Sequence, residues 1–433
     1  MVREIRSSAS RWFVLNALLI FATSAYAGGP IAVSGRGWNV PDGLFVTWDV
    51  SAGPVQYRTP SAGNLGTLSH DDAVALVQKL FQVWENVPTA NIRYQRAGDI
   101  LPTGSYTGGA ISTAQQFNDV AGSCSKGING DKNNRQSPIV FDADGSLFTA
   151  LGFSKGVIGF AGPCVVSTLN GHIISGLAAL NGKWIDGNAA NGEITQAQFN
   201  EAFVHEFGHF SGLEHSQINV EVLNGLRDNC DPADLAGLPI MFPVAYCQAR
   251  VDANNIPILA PDDIAWISRL YPETVDNPPS QVPFTRQYTT ISGTIFFSDG
   301  TSQAQGVNVI AHDATDSKGK AFSVVSGYLF TEIPGQAVSP KNPASPFGTA
   351  DSAFRGTFDI PVPAGTYTLE FQSVDPRFSG GSSVGPLSPP VPIPGSPPAT
   401  ATTPFTVVVG TSSTGHSVIL IGTQPRFDAF EAP

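Results

Sequence analysis

Hydrophobic positions along this chain keep two different rhythms, and the change falls near residue 287. Phe45 to Val50 (FVTWDV) reads as a strand after a Gly-rich, irregular stretch over 28–44. Ser69, with Asp71 and Asp72 behind it, is a helix start, and Val74, Val77, Leu80, Phe81 and Trp84 then recur at helical spacing until Pro88. Further strands are predicted at Ile92–Gln95 and Pro138–Phe141, and in short segments between 157 and 186. The Gly/Ser/Asn-rich region 98–137 is expected to be irregular. Thr195, with Gln198 three residues on, caps a second helix. Pro261-Asp262-Asp263 opens a last one, Ile264–Leu270, which closes at Tyr271-Pro272. Residues 273–286 read as a Pro-rich extended linker. Beyond it the period is that of strands alone: Ile291–Phe297, Val307–His312, Phe322–Leu329, Arg355–Ile360, Thr366–Gln372, Phe405–Val409 and Ser417–Ile421, with Gly385–Pro404 as a long loop. These predict an α+β region followed by an all-β antiparallel sandwich.

Composition narrows the setting. Of 433 residues only 13% are charged, while 45 are Gly and 34 Pro, a balance that suits loop-rich extracellular β structure. The formal charge of −12, without a basic run, excludes a nucleic-acid binder. Arg3, Arg6 and Arg11 precede an apolar run, Trp12–Ala22, and a small-x-small site, Ala25-Tyr26-Ala27. That run of about 11 residues is short of the roughly 20 that span a bilayer, so residues 1–27 read as a cleaved export leader. A secreted or periplasmic protein without a transmembrane anchor is expected. Export gives the four cysteines a role as two disulfides. Three connectivities are open, and nearest-neighbour pairing joins Cys124 to Cys164 and Cys230 to Cys247. A Cys₄ metal site lacks the C-x₂-C spacing it would need.

The chemistry is concentrated at His205–Ser216, HEFGHFSGLEHS, which holds three of the seven histidines. His205 and His209 project from one helix face a turn apart. Gly212 breaks the helix so that His215 can fold back from a loop. Three neutral imidazoles leave a fourth position on Zn²⁺ for water, and Glu206 is placed to be the general base. Glu214 and Glu221 are rival third ligands, set aside because His215 stands at the motif spacing.

These residues resemble the metzincin clan of zinc endopeptidases, and Gly212-Leu213-Glu214-His215-Ser216 is similar to its matrixin version. The likeness extends loosely over residues 40–272. It takes in Met241, the only methionine besides the initiator, and Leu259-Ala260-Pro261-Asp262-Asp263-Ile264 leading to Tyr271. The resemblance implies an α+β zincin domain (28–272) with a twisted mixed sheet and three main helices. It also implies one catalytic zinc on His205, His209 and His215, catalysis by Glu206, a supporting turn at Met241, and protein or peptide substrates. Two family features are not expected: cysteine-based latency, since no Cys precedes Cys124, and a second structural zinc, since only His70 and His172 remain in this region. Family calcium sites have candidates in Asp142 and Asp144, or Asp131 and Asn133. A Cys230–Cys247 bridge would enclose Met241 and stiffen the floor of the site, and Tyr246 is a candidate oxyanion donor. Residues 287–423 resemble the carboxypeptidase-regulatory-like, transthyretin-like sandwich, a module that contacts substrate or cell surface; 424–433 form a tail. His312 and His416 read as ordinary strand residues. The alternative to a peptidase is a surface-binding or adhesion protein whose zincin domain has lost catalysis.

Overall fold

The computed structural model describes residues 13–14, 29–31, 33–34, 38–41, 43–216, 218, 237–242, 250–304, 307–327, 356–373 and 403–419. The content is mixed α/β, with several sheets and few helices. At the centre of the first part lies β6 (His172–Asn181). It pairs antiparallel with β5 (Gly159–Val166) along one edge, and parallel with β1 (Thr47–Trp48) and β4 (Ile139–Asp142) along the other. Eight of β6's ten residues are buried, so both faces of this mixed sheet are covered. A parallel pair, β2 (Val55–Thr59) with β3 (Tyr94–Asp99), joins it through a bridge from Arg58 to Pro138. The free edge of β5 meets Phe13–Val14, within the segment read as a leader.

Two helices form where their caps predicted. Helix α1 (His70–Glu85) starts at Ser69, whose hydroxyl accepts from the Asp72 N–H, and buries Val77, Leu80, Phe81 and Trp84. It packs on α4 (Gln196–Phe210), which Thr195 and Gln198 start with a full capping box. Between these helices the Phe81 and Phe207 rings stack 3.9 Å apart, and the Trp84 indole N–H donates to Val204 O at 2.9 Å.

Three local expectations are corrected. The region 98–137 contains a helix, α2 (Ala114–Ser125), capped by Thr113 and burying Phe117, Val120, Ala121 and Cys124. A short α3 (Ser146–Ala150) also follows Asp142, so the helices outnumber the three expected. The strand expected at 45–50 shortens to Thr47–Trp48, while β3 runs to Asp99. Cys124 and Cys164 are bonded, tying α2 to β5. Their sequence separation of 40 corresponds to roughly 4 kcal/mol of stabilisation through the restricted unfolded chain. Cys230 and Cys247 lie outside the described residues.

Residues 273–286 are folded onto the first part and do not form a free linker. Glu273 N–H donates to Thr89 O and Val282 N–H to Pro88 O, and Val282 and Phe284 are buried. Behind helix α5 (Pro261–Leu270) come the seven expected strands. One sheet holds β10 (Thr357–Pro363), β7 (Tyr288–Phe296) and β13 (Val418–Ile419). The other holds β9 (Ala321–Val325), β8 (Val307–Asp313), β11 (Gly365–Ser373) and β12 (Phe405–Val407). Their pairings are antiparallel except β7 with β13. The sheets meet through Phe358 and Phe371, ring centroids 6.3 Å apart. One hydrophobic cluster runs from Val46 and Trp84 through Trp266 to Val324 and Phe371, without a break between the two parts, and a second, around Phe117, Cys124, Val140 and Val165, lies within the first part. Among the described residues no helix is long and apolar enough to cross a membrane.

Candidate metal centre

Helix α4 carries His205 and His209 on its last two turns. It ends at Ser211, and Gly212 takes a left-handed φ of 88° that a side chain would strain. The Tyr271 hydroxyl donates to Ser211 O at 2.5 Å and the Trp48 indole N–H to Phe210 O at 2.8 Å, so the helix end is held from two sides. Leu213–Glu214 then pairs with Gly29–Pro30, and His215 returns toward the helix. The three Nε2 atoms form a triangle: His205 to His215 2.9 Å, His209 to His215 2.9 Å, His205 to His209 3.1 Å.

The second nitrogen on two of these rings fixes the tautomer. His205 Nδ1 lies 2.7 Å from Ile240 O and His209 Nδ1 2.9 Å from Leu213 O, so each Nδ1 carries the proton and each Nε2 presents a lone pair. Burial pushes His205 down to about 4 and, with His205 beside it, His209 to about 3; burial also holds His215 well below the usual imidazole range. Converging neutral lone pairs about 3 Å apart repel one another unless a cation lies between them. Three neutral imidazole nitrogens converging within 2.9–3.1 Å of one another are a donor set of the kind zinc takes, so His205, His209 and His215 fit that ion. Among the described residues this is the one group of three or more His, Cys, Asp or Glu placed to hold a metal.

Glu206 directly follows His205 on α4 and is half-buried. Burial pushes its carboxyl up to about 8, against the hydrogen bond from the Ala161 N–H of β5. Met241 packs under α4 at Gly208, where a Cβ would lie 2.2 Å from Met241 Sδ and 3.0 Å from the Trp84 ring. Alanine in an unconstrained helix gains about 1 kcal/mol over glycine. Here Met241 and Trp84 are buried and cannot retreat freely, so overpacking outweighs that gain. Gly208→Ala is expected to lower stability by about 1–2 kcal/mol in urea unfolding; a gain instead would show that the Met241 contact yields.

The turn at Met241 is held by Asp263, which is 2% exposed. Its carboxylate accepts from Ile240 N–H (2.8 Å), Met241 N–H (3.1 Å) and Ala260 N–H (2.9 Å). Ser216 N–H donates to Met241 O at 2.7 Å, closing the turn onto the residue after His215. Asp263 was legible only as a helix opener. Its deeper role had no local signal beyond being charged and adjacent to Asp262.

The remaining candidates are placed as follows. The Glu214 carboxylate accepts from His215 N–H at 3.0 Å, and His215 occupies the third corner of the triad. Asp142 accepts from Gly145 and Phe148 N–H groups, Asp144 from Ser146 N–H and Asp131 from Asn133 N–H, so these candidate calcium ligands cap turns. His70 Nε2 lies 2.9 Å from Pro60 O, and His172 Nδ1 3.3 Å from Thr47 O. His312 pairs with Glu370 at 2.8 Å, and His416 stacks on Phe405 outside any strand. Glu221 and Tyr246 lie outside the described residues.

The carboxyls set a pH dependence. The three histidines are neutral when folded but partly protonated when unfolded until about pH 7.5, so their opposing slope is gone only above that. Burial holds Glu206 and Asp262 up to about 8 when folded, against about 4 when unfolded. The folded state therefore keeps protons that the unfolded state has lost, and stability falls as pH rises. Chelator-treated protein is expected to show a declining urea midpoint from about pH 7.5 to 8.5, and a rising one would contradict it.

No protein-family model matches the chain, and no curated protein does. Among solved structures, a leucine-rich repeat protein from Bacteroides thetaiotaomicron matches at 14% identity over 32% of this chain, with a TM-score of 0.16. The match spans 14% of that protein's length. A likeness at this level says nothing of fold or function.

Proposed function

We propose that this chain is an exported zinc-dependent endopeptidase of the metzincin type, similar to matrixins, with a zincin-type catalytic part and an accessory β-sandwich. The observation that carries the reading is the convergence of three Nε2 atoms, with Glu206 directly after His205 on α4 and Ala161 N–H bonded to its carboxylate. Zinc held by His205, His209 and His215 supplies Lewis acidity toward a peptide carbonyl and a water of lowered pKa. Glu206 takes a proton from the attacking water at a carboxylate oxygen and delivers it to the leaving amine. Burial favours its neutral form, which suits the donating half of that exchange. Ala161 N–H orients the carboxylate, while the carbonyls of Ile240 and Leu213 keep two imidazoles in the metal-binding tautomer.

The test is cleavage of a peptide library by the purified mature protein. One zinc per chain, cleavage lost to a chelator and cleavage restored by zinc are expected. A zinc-loaded protein that binds peptides or surfaces but cleaves nothing would favour the adhesion reading.

A further inference from the structure

His205 and His209 are fixed by the helix that carries them. His215 lies beyond a left-handed glycine, so its position depends on whatever holds residues 213–218. The β8–β9 hairpin of the C-terminal part supplies much of that hold. Ser323, fully buried on β9, uses its backbone and its side chain: its N–H donates to Asp262 at 2.8 Å, its carbonyl accepts from the Trp266 indole N–H at 2.7 Å, and its hydroxyl lies 3.2 Å from that of Ser216. Ser216 directly follows His215, and its hydroxyl also hydrogen-bonds Asp262. Three residues past His215, Ile218 is buried against Ile310 and Ala321 of the same hairpin. On the other flank, Gly237 meets the hairpin's turn so closely that a Cβ would fall 1.8 Å from Lys318 O. Residues on both sides of the site, after the third ligand and before the Met241 turn, therefore rest on one hairpin.

We infer that the β8–β9 hairpin is part of the frame of the metal centre, with Asp262, Trp266 and Ser216 as positioning residues that set His215 through Ser323. The inference rests on the zinc reading of the triad. It separates the C-terminal part from an appendage that merely contacts substrate: without the hairpin two ligands stay in place and the third loses its setting. Residues that orient metal ligands from outside typically change affinity by about 10- to 100-fold when lost.

The test uses the full-length protein and reads the zinc dissociation constant by competition with a chromophoric chelator, and the absorption bands of the cobalt-substituted form. Trp266→Phe removes the indole N–H and keeps most of the ring; Ser216→Ala removes one hydroxyl; Asp262→Ala removes the acceptor for Ser323. The control is Arg269→Ala, which breaks another contact between the same helix and the C-terminal part, the 2.9 Å ion pair with Asp359, and touches no residue of 213–218. Expected are zinc binding weakened by about 10- to 100-fold and shifted cobalt bands in the first three variants. Arg269→Ala should lower only the melting temperature. If Asp262→Ala does not fold, the two milder variants decide. Lowered melting with unchanged zinc affinity and unchanged bands in those two would overturn the inference. A wild-type protein that binds neither zinc nor cobalt stoichiometrically would overturn the zinc reading, and the inference with it.

Discussion

Glu206→Gln is expected to leave one zinc per chain and to lower peptide turnover by about 10²- to 10⁴-fold, the usual weight of a general acid–base group. The substitution keeps volume and an acceptor for the Ala161 N–H, so β5 and α4 stay in register. It removes the ability to take a proton. Burial already disfavours the charged carboxylate, lifting it to about 8 against the Ala161 hydrogen bond, so a neutral amide in its place should leave stability unchanged or raise it. The loss should appear in kcat more than in KM, since the proton moves in the transition state. Zinc analysis, a melting curve and steady-state kinetics on the same sample separate these effects. Turnover within a few-fold of wild type would remove Glu206 from the mechanism.

Asp263→Ala is expected to damage the fold and the site together. Three buried N–H groups, of Ile240, Met241 and Ala260, would lose their acceptor at once. Each unpaired buried donor costs about 1–3 kcal/mol, so a loss of roughly 3–5 kcal/mol is expected after partial relaxation. Ile240 also offers its carbonyl to His205 Nδ1, so freeing the turn loosens a zinc ligand from behind. Asp263→Asn keeps one oxygen but turns an amide N–H₂ toward backbone donors, and it should fall between wild type and alanine. Urea midpoints and zinc retention during dialysis measure the two consequences. An alanine variant with wild-type midpoint and zinc content would show that the turn holds itself.

Much of this architecture was readable because its signals are local. Ser69 and Thr195 announce helices through hydroxyls that bond within the next turn, and Gly212 marks a turn only a left-handed backbone can make. The histidines are visible for the same reason: a spacing of four along the helix and of six across Gly212 fix their approach. Helix α2 was hidden, although Phe117, Val120, Ala121 and Cys124 keep helical spacing, because the surrounding Gly, Ser and Asn residues dilute the pattern. Strand β2 alternates Val55, Tyr57 and Thr59 inward, but it stands between glycine and proline clusters that read as loop. Asp262, Asp263 and Ser323 acquire their meaning from partners far along the chain or from backbone groups, which leave no trace in spacing. The stretch 273–286 misled for a related reason: prolines exclude regular structure, but they do not exclude packing of Val282 and Phe284.

The unbroken core has a thermodynamic consequence. Trp266 and Val324 belong to one packed cluster with Trp84 and Phe371, so neither half has a hydrophobic boundary at which it could come apart alone. Unfolding should then be all-or-none over both parts, with calorimetric and van't Hoff enthalpies in agreement despite a length at which chains commonly melt in stages. Cooperativity on that scale means that damage anywhere in the β-rich half is felt as lost occupancy of the folded state at the triad.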